Sequence, residues 1–431
     1  MTQPTTVVVN DCASAPPGAV QVRWKQTTYE LPLTWSFNYS NLAASLNRSL
    51  TSIEQDWLEV FGALYAVDRV SRRSPETWTR EIGVDIPVRN PAIWNSAKPA
   101  LRDVWNRLTN DRLTVRFHEE SAPFAVPRPD GQVPQNVTGV ALFSGGLDSY
   151  AAVAQLESTG ERTALITHLA NPSVNKAVKA LLTTLPTLPR PAPLPIMSKN
   201  GANSGIVTDE SQRARSLLFI SSAVLAAHTF SVSNIWVGEN GILAVHEPET
   251  EARVPSLSTR TAHPQVLLAV QRLAGVVLQG NFQIDNPLEH LTKAGVVQLI
   301  KTLGHEKMVP SAISCWKIQR TSEHCGYCIP CLQRFVATEI AAVKDDVYVH
   351  NPWDSKMTGA MASDATDNLV HFLQLAQGIS LASDFEIELQ RPSLLGVGGA
   401  LTDAERIALH RLWAEEVLQV ANRHPVSHGI L

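Results

Sequence analysis

Apolar positions along the chain follow two regimes that change near residue 135. Upstream, TTVVVN and AVQVRW gather β-branched and aromatic residues into short runs that predict strands, with Pro16-Pro17-Gly18 as the turn between them. From Leu50 to Arg72 the apolar residues recur at helical spacing. Ile53, Trp57, Val60, Phe61 and Leu64 share one face, and Arg69, Arg72 and Arg73 close the end where cations suit the helix dipole. EIGVDIPVR predicts a strand, Asn90-Pro91 a helix start running through Leu108, and LTVRFH a further strand. Ser121 to Gln135, with four prolines and Asp130-Gly131, reads as a linker.

Downstream, strand and helix patterns alternate. VALF predicts a buried strand and Tyr150 to Leu156 a helix. TALITHL is a second strand and Ser173 to Leu185 a second helix. LPTLPRPAPLP runs extended into a short edge strand or loop. Glu210 to His228 is helical, Asn234 to Val237 is a strand, and His263 to Gly280 and Leu291 to Leu303 are helices. The alternation predicts an α/β fold with a doubly wound parallel sheet and right-handed crossovers, whose ligands bind at the carboxyl ends of the strands. Beyond Val343 the pattern is helical, over Ser363 to Gly378 and Thr402 to Arg423. The predicted organisation is an N-terminal α+β domain over 1–135, an α/β domain over 136–345 and a helical C-terminal extension over 346–431.

Composition narrows the function classes. The 431 residues allow two or three domains and a large core. Lys and Arg number 36 against 40 Asp and Glu, a balance of −4, so no basic footprint for nucleic acid is expected. The N-terminus lacks the basic and apolar regions of a signal peptide. The uncharged stretch from Ser216 to Gly238 is long enough for a bilayer, but its polar second half favours a buried helix feeding a strand, so no membrane is expected. Five cysteines in a long chain suggest a reducing, cytoplasmic setting and metal ligation. Trp24, Trp35, Trp57, Trp78, Trp94 and Trp105 crowd the N-terminal part and read mostly as core packing.

The candidate chemistry centres on Ser144-Gly145-Gly146-Leu147-Asp148-Ser149, between the VALF strand and the helix after it. Strand, glycine turn and helix point backbone N–H groups at an anion. The two glycines admit positive φ and close approach of a phosphate. No Gly-Lys-Ser/Thr follows, so this is not a Walker loop. Cys315, Cys325, Cys328 and Cys331 are spaced C-x9-C-x2-C-x2-C, which suits a closed structural zinc site; an iron–sulfur cluster is the alternative.

The glycine turn resembles the SGGxDS loop of the PP-loop ATP pyrophosphatases, which belong with the adenine nucleotide alpha hydrolase-like folds. With SCWKIQRTSEHCGYCIPCLQRF, including Arg334, and with Asn286-Pro287 through Thr292-Lys293, the chain is similar to the QueC family of 7-cyano-7-deazaguanine synthases over about 139–340. The resemblance implies ATP, Mg²⁺ and Zn²⁺. It implies phosphate binding by Ser144, Gly145, Gly146, Leu147, Asp148, Ser149, His168, Arg215 and Lys293, with Ser144, Asp148 and Lys293 catalytic. Cys315, Cys325, Cys328 and Cys331 hold the zinc.

Three segments depart from the family pattern. THLANPSVNK stands for a YGQRH-like segment, RARS for PGRN, and GENGILAVHEPETEAR for GVNxxDYSGYPDCR. With the added N-terminal and C-terminal parts, these make the chain look like the longer QueC-like proteins of bacterial anti-phage systems, the QatC kind. The implied function is adenylation of a 7-deazaguanine-type carboxylate followed by attack of an amine, which a partner protein could supply. Ordinary 7-cyano-7-deazaguanine synthesis and an ATP-binding scaffold without catalysis are the alternatives.

Of the residues outside the motifs, Glu239 and Asn240 end a strand facing the nucleotide, for contact with substrate or Mg²⁺. Thr259, Arg260, Thr261 and His263 form a polar run that binds substrate or caps the next helix, and Arg213 and Arg215 reach phosphate or solvent. His168, read from the residues alone, is structural. Cys12 reads as a small core residue.

Overall fold

The computed structural model describes residues 5–9, 20–26, 29–38, 50–71, 79–119, 136–168, 172–185, 194–200, 213–245, 260–318, 323–345, 347–354, 359 and 361–424. Pro16-Pro17-Gly18, Cys12, Trp78, the 121–135 linker, Asp209, Glu210 and Thr259 lie outside these residues. The side chains of Trp24, Trp35 and His168 are likewise not described.

In chain order the elements are β1 (Thr5–Val9), β2 (Val20–Gln26), β3 (Tyr29–Asn38), α1 (Ser52–Val70), β4 (Glu81–Val88), α2 (Pro91–Thr109) and β5 (Arg112–Glu119). Then follow β6 (Gly139–Leu142), α3 (Leu147–Ser158), β7 (Thr163–His168), α4 (Pro172–Leu182), β8 (Leu194–Asn200), α5 (Arg215–Phe230), β9 (Asn234–Trp236) and α6 (Gly241–Val245). A 3₁₀ turn at Arg260–Ala262 leads into α7 (Pro264–Leu278), β10 (Gln283–Asp285), α8 (Lys293–Thr302), a 3₁₀ segment at Glu306–Ser311, and α9 (Ile329–Ala341). The last helices are α10 (Ala362–Leu381), α11 (Asp384–Gln390) and α12 (Asp403–Ala421).

The strands form a single sheet in the order β10-β9-β6-β7-β8-β3-β2-β1-β4-β5. From β10 to β8 all pairings are parallel. In chain order this half reads fifth, fourth, first, second, third, which is the doubly wound arrangement. Its switch point lies between β6 and β9, where ligands of such sheets sit. The strand expected at an edge, β8, is interior: β3 pairs with it antiparallel, Phe37 opposite Ser198, and so extends the sheet. Strand β10 is too short for periodicity to announce it, at three residues.

Two core clusters cover the faces of the parallel half. One joins α5 and α7 to α1, α2 and β4, with Trp57, Trp94 and Trp105 fully buried in it. The indole N–H of Trp57 donates to the Ser221 carbonyl at 2.8 Å. Asp68, which pairs with Arg80 at 2.6 Å, also accepts the Ala214 N–H at 2.9 Å just before α5. The other cluster joins Phe143 and α3 to α8 and part of α9. A third packs α10 and α12 on α9 and α6, around Trp353 and Trp413. Helix ends follow local rules. Pro91 opens α2, and Thr402 with Glu405 forms a capping box on α12.

Candidate active site

Strand β6 delivers the chain to Ser144, and α3 begins at Leu147 with Gly146 as its N-cap. Gly145 has φ +78°, a left-handed conformation that a side chain resists, and a Cβ there would come 3.1 Å from Val178 Cγ2. The Ser149 hydroxyl donates to the Gly146 carbonyl at 3.0 Å and accepts the Ser144 N–H at 3.2 Å. The bend is thus held from within by two serine side chains, while the first turn of α3 directs its N–H groups outward. Gly238, after β9, lets the strand exit pass close to α3: a Cβ there would lie 2.5 Å from Ala152 Cβ.

Asp148 is in the first turn of α3 and buried, and its Oδ2 accepts from Lys293 Nζ at 2.7 Å and from Asn240 Nδ2 at 3.1 Å. Burial pushes the Asp148 carboxyl up, but the Lys293 ammonium and hydrogen bonds from its neighbours outweigh this and hold it below the usual carboxylate range. Lys293 is the first residue of α8, whose N-cap Thr292 accepts the Gly295 N–H at 3.1 Å. A cation at a helix N-terminus is disfavoured by the dipole, and the carboxylate opposite offsets that cost.

Glu239 is fixed by its own backbone: its N–H donates to Asn286 Oδ1 at 3.1 Å and its carbonyl accepts from Asn286 Nδ2 at 2.7 Å. The Glu239 side chain lies within hydrogen-bonding range of Asp148, while Asp148 Oδ1 is buried with no donor in reach. Two neighbouring carboxyl groups, one with a buried oxygen lacking a hydrogen-bond donor, are a donor set for a hard divalent cation such as Mg²⁺.

The Sγ atoms of Cys315, Cys325, Cys328 and Cys331 all lie within 4.8 Å of one another, and all four residues are buried. The Cys328–Cys331 and Cys328–Cys315 sulfurs are 3.4 and 3.9 Å apart. Four sulfurs about 2.3 Å from one zinc sit about 3.8 Å apart at tetrahedral angles, so the set fits one zinc ion. A polynuclear iron–sulfur cluster, with several irons between its cysteines, needs wider spacing. N–H groups of Lys317, Cys325 and Cys328 point at cysteine sulfurs at 3.3 to 3.4 Å, which suits thiolates.

Arg334, three residues after the last cysteine, is fully buried. It grips Asp345 through two bonds of 2.7 and 2.8 Å, and donates to the Val309 carbonyl at 2.6 Å and the Ala312 carbonyl at 2.5 Å. Next in the chain, the Ile313 N–H donates to the Gly145 carbonyl at 2.9 Å. The cysteine module therefore braces the glycine bend through the 309–313 segment.

The other expected site residues make their contacts elsewhere. Thr261 hydrogen-bonds Ser216 at 2.5 Å, and His263 caps α7 by accepting the Gln265 N–H at 3.3 Å. Arg215 is exposed, its guanidinium 5.8 Å from the Phe219 ring, and Arg213 is buried and donates to the Thr109 carbonyl at 2.8 Å. His168 ends β7, opposite Ile196. Sequence reasoning missed the clamping role of Asn286; its position between β10 and a proline was the available signal.

A glycine bend followed by a helix N-terminus, a buried acid–lysine pair and a convergent glutamate, at the switch point of a doubly wound sheet, define an α/β protein with an anion site of PP-loop type. Residues 196–341 match the family model described as Queuosine biosynthesis protein QueC. The chain is 25% identical over 241 residues to the 7-cyano-7-deazaguanine synthase of Magnetococcus marinus, covering 51% of this chain and 100% of that protein. With the synthase of Solidesulfovibrio magneticus the identity is 26% over 227 residues, 48% of this chain and 93% of the relative. With that of Rhizorhabdus wittichii it is 28% over 222 residues, 45% and 88%. Over these stretches the chain is similar to the QueC family.

Among the described residues no helix is long and apolar enough to cross a membrane.

Proposed function

We propose that the protein adenylates a 7-deazaguanine-type carboxylate with ATP and passes the acyl group to an amine. The carboxylate oxygen attacks the α-phosphorus, the bond to the β-phosphate breaks, and pyrophosphate leaves. The amine nitrogen then attacks the carbonyl carbon, the acyl–oxygen bond breaks, and AMP departs.

The observation that carries this reading is the buried Asp148–Lys293 pair facing Glu239 beside the glycine bend. In this reading the N–H groups of Gly146 through Ser149 hold the triphosphate. Ser144 supplies a further hydroxyl, Lys293 meets the charge on the departing pyrophosphate, and Asp148 keeps the ammonium placed. Mg²⁺ held by Asp148 and Glu239 would neutralise triphosphate charge. Zinc in the four-cysteine site would support the bend and take no part in the chemistry.

The relatives' names favour ammonia as the amine and a nitrile as the end product, over the partner-protein acceptor of an anti-phage system. Nitrile formation requires a second activation, in which the amide oxygen is adenylated and leaves with AMP. The partner-protein reading is supported by the replaced GVNxxDYSGYPDCR segment and by the added N-terminal and C-terminal parts.

The test is incubation with ATP, Mg²⁺ and 7-carboxy-7-deazaguanine, with and without ammonia, following pyrophosphate and the base by mass spectrometry. Acid-dependent pyrophosphate with an ammonia-dependent amide or nitrile is the expected result. An adenylate that accumulates regardless of ammonia would move the assignment to another amine. Pyrophosphate release that ignores the acid would overturn the substrate class.

A further inference from the structure

Three guanidinium groups from distant parts of the chain converge beside His263. Arg107 lies in the last turn of α2, Arg260 in the 3₁₀ turn, and Arg406 in the first turn of α12. Arg260 Nη1 donates to the Arg107 carbonyl at 3.0 Å, and Arg107 Nη1 donates to Gln265 Oε1 at 2.7 Å. Gln265 Nε2 in turn donates to the Gly396 carbonyl at 2.8 Å, and Arg406 Nη2 to the Gly398 carbonyl at 2.7 Å. These neutral acceptors fix the arginines in place.

The carboxylates nearby partner two of the three arginines. Asp103 bonds Arg107 at 2.9 Å and Glu289 bonds Arg406 at 3.1 Å, with the half-exposed Asp403 at 3.6 Å from Arg406. Among the described residues Arg260 has no carboxylate partner. Arg406 is fully buried, yet its Nε and Nη1 have no hydrogen-bond acceptor, and neither does the buried Nε of Arg260. A buried charged donor left without an acceptor costs more than a neutral one, and an oxyanion would supply the missing acceptors. The His263 ring carries the same signature: burial and the charges of Arg260, Arg406 and Arg107 push its pKa down to about 4.

We propose that Arg107, Arg260 and Arg406 form a second oxyanion-binding site, separate from the glycine bend, for a carboxylate or phosphate group. Two of its three cations come from the segments added at either end of the QueC-like region, Arg107 from α2 and Arg406 from α12. The 3₁₀ turn that carries Arg260 is tied to α5 by the Thr261–Ser216 bond and packs against α6, which follows Asn240. Its use as a subsite for the second substrate rests on the proposed ligase reading; the binding of an oxyanion does not.

The test follows the His263 imidazole proton resonance of the full chain, without ATP, during titration with inorganic phosphate, with acetate, and with chloride at matched ionic strength. A saturable shift with phosphate or acetate is expected, with the titration midpoint of His263 rising by about one pH unit or more. Which anion saturates first separates a phosphate ligand from a carboxylate one. Arg260→Gln should abolish the effect, and Gly145→Ala should leave it intact while ATP binding is weakened. A response that chloride reproduces, or one unchanged in Arg260→Gln, would overturn the site. If Arg260→Gln does not fold, Arg260→Lys should keep a saturable response weakened by about tenfold, and its complete absence in the folded variant would likewise overturn the site. Failure of the ligase assay alone would leave this result standing.

Discussion

Lys293 Nζ lies 2.7 Å from Asp148 Oδ2, with both side chains more than nine-tenths buried. The pair joins the first turn of α3 to the first turn of α8 and sits where Asn240 adds a second donor to the same oxygen. Removing one partner leaves the other as an uncompensated buried charge, which costs about 3–5 kcal/mol. Lys293→Met and Asp148→Ala should each lower stability by that order in urea unfolding. The double variant should lose less than the sum of the two. Both single variants should also abolish pyrophosphate release, whereas a pair serving stability alone would leave kcat within about twofold of wild type.

Gly145 shows what the bend asks of the backbone. Its φ of +78° costs a residue with a Cβ about 1–2 kcal/mol, and the new methyl would press on Val178. Gly145→Ala should therefore weaken ATP binding by about tenfold or more, with only a small fall in melting temperature. Calorimetric titration with ATP and Mg²⁺ checks this; unchanged affinity would place the nucleotide elsewhere.

This bend and the four cysteines were legible in the sequence because their residue types and spacing carry the chemistry locally. The doubly wound order was legible too, since strand and helix periods alternate from Gly139 onward. The interior place of β8 was not, because the strand that covers its edge, β3, is over 150 residues earlier in the chain. Asn286 as the clamp of Glu239, and the meeting of Arg107 with Arg260 and Arg406, were hidden for the same reason. They depend on tertiary neighbours that local pattern does not encode.

The cysteine module should bind one zinc per chain by elemental analysis, with no visible absorption of the kind iron–sulfur clusters give. Because Ile313 N–H holds the Gly145 carbonyl and Arg334 holds the Val309 and Ala312 carbonyls, loss of metal should reach the glycine bend. Cys331→Ser and chelation should each lower the melting temperature and weaken ATP binding together. Arg334→Lys should mimic them with the zinc content unchanged, since lysine cannot replace the bidentate grip on Asp345.

The depressed pKa of His263 makes a prediction about acid. Burial is the largest cause, and Arg260, Arg406 and Arg107 add to it, bringing the ring to about 4 against an ordinary 6.5. Between these values the unfolded chain binds a proton that the folded chain refuses, so the unfolded state holds more protons and stability rises with pH. The contribution is fully present above about pH 6.5, is lost as pH falls towards 4, and is constant below that. Burial and then the Arg334 charge push His324 down to about 4 as well, while Glu416 is raised to about 7 by burial and opposes the slope between 4.5 and 7. The difference between wild type and His263→Asn isolates the histidine, and asparagine keeps a cap for α7. In buffers free of phosphate and carboxylate, the variant should lose less melting temperature than wild type on going from pH 7 to pH 5. Adding phosphate to wild type should shrink that difference, because an anion among the three arginines removes the repulsion that keeps the ring neutral. Equal acid sensitivity in the two proteins would show that the fold does not hold His263 neutral.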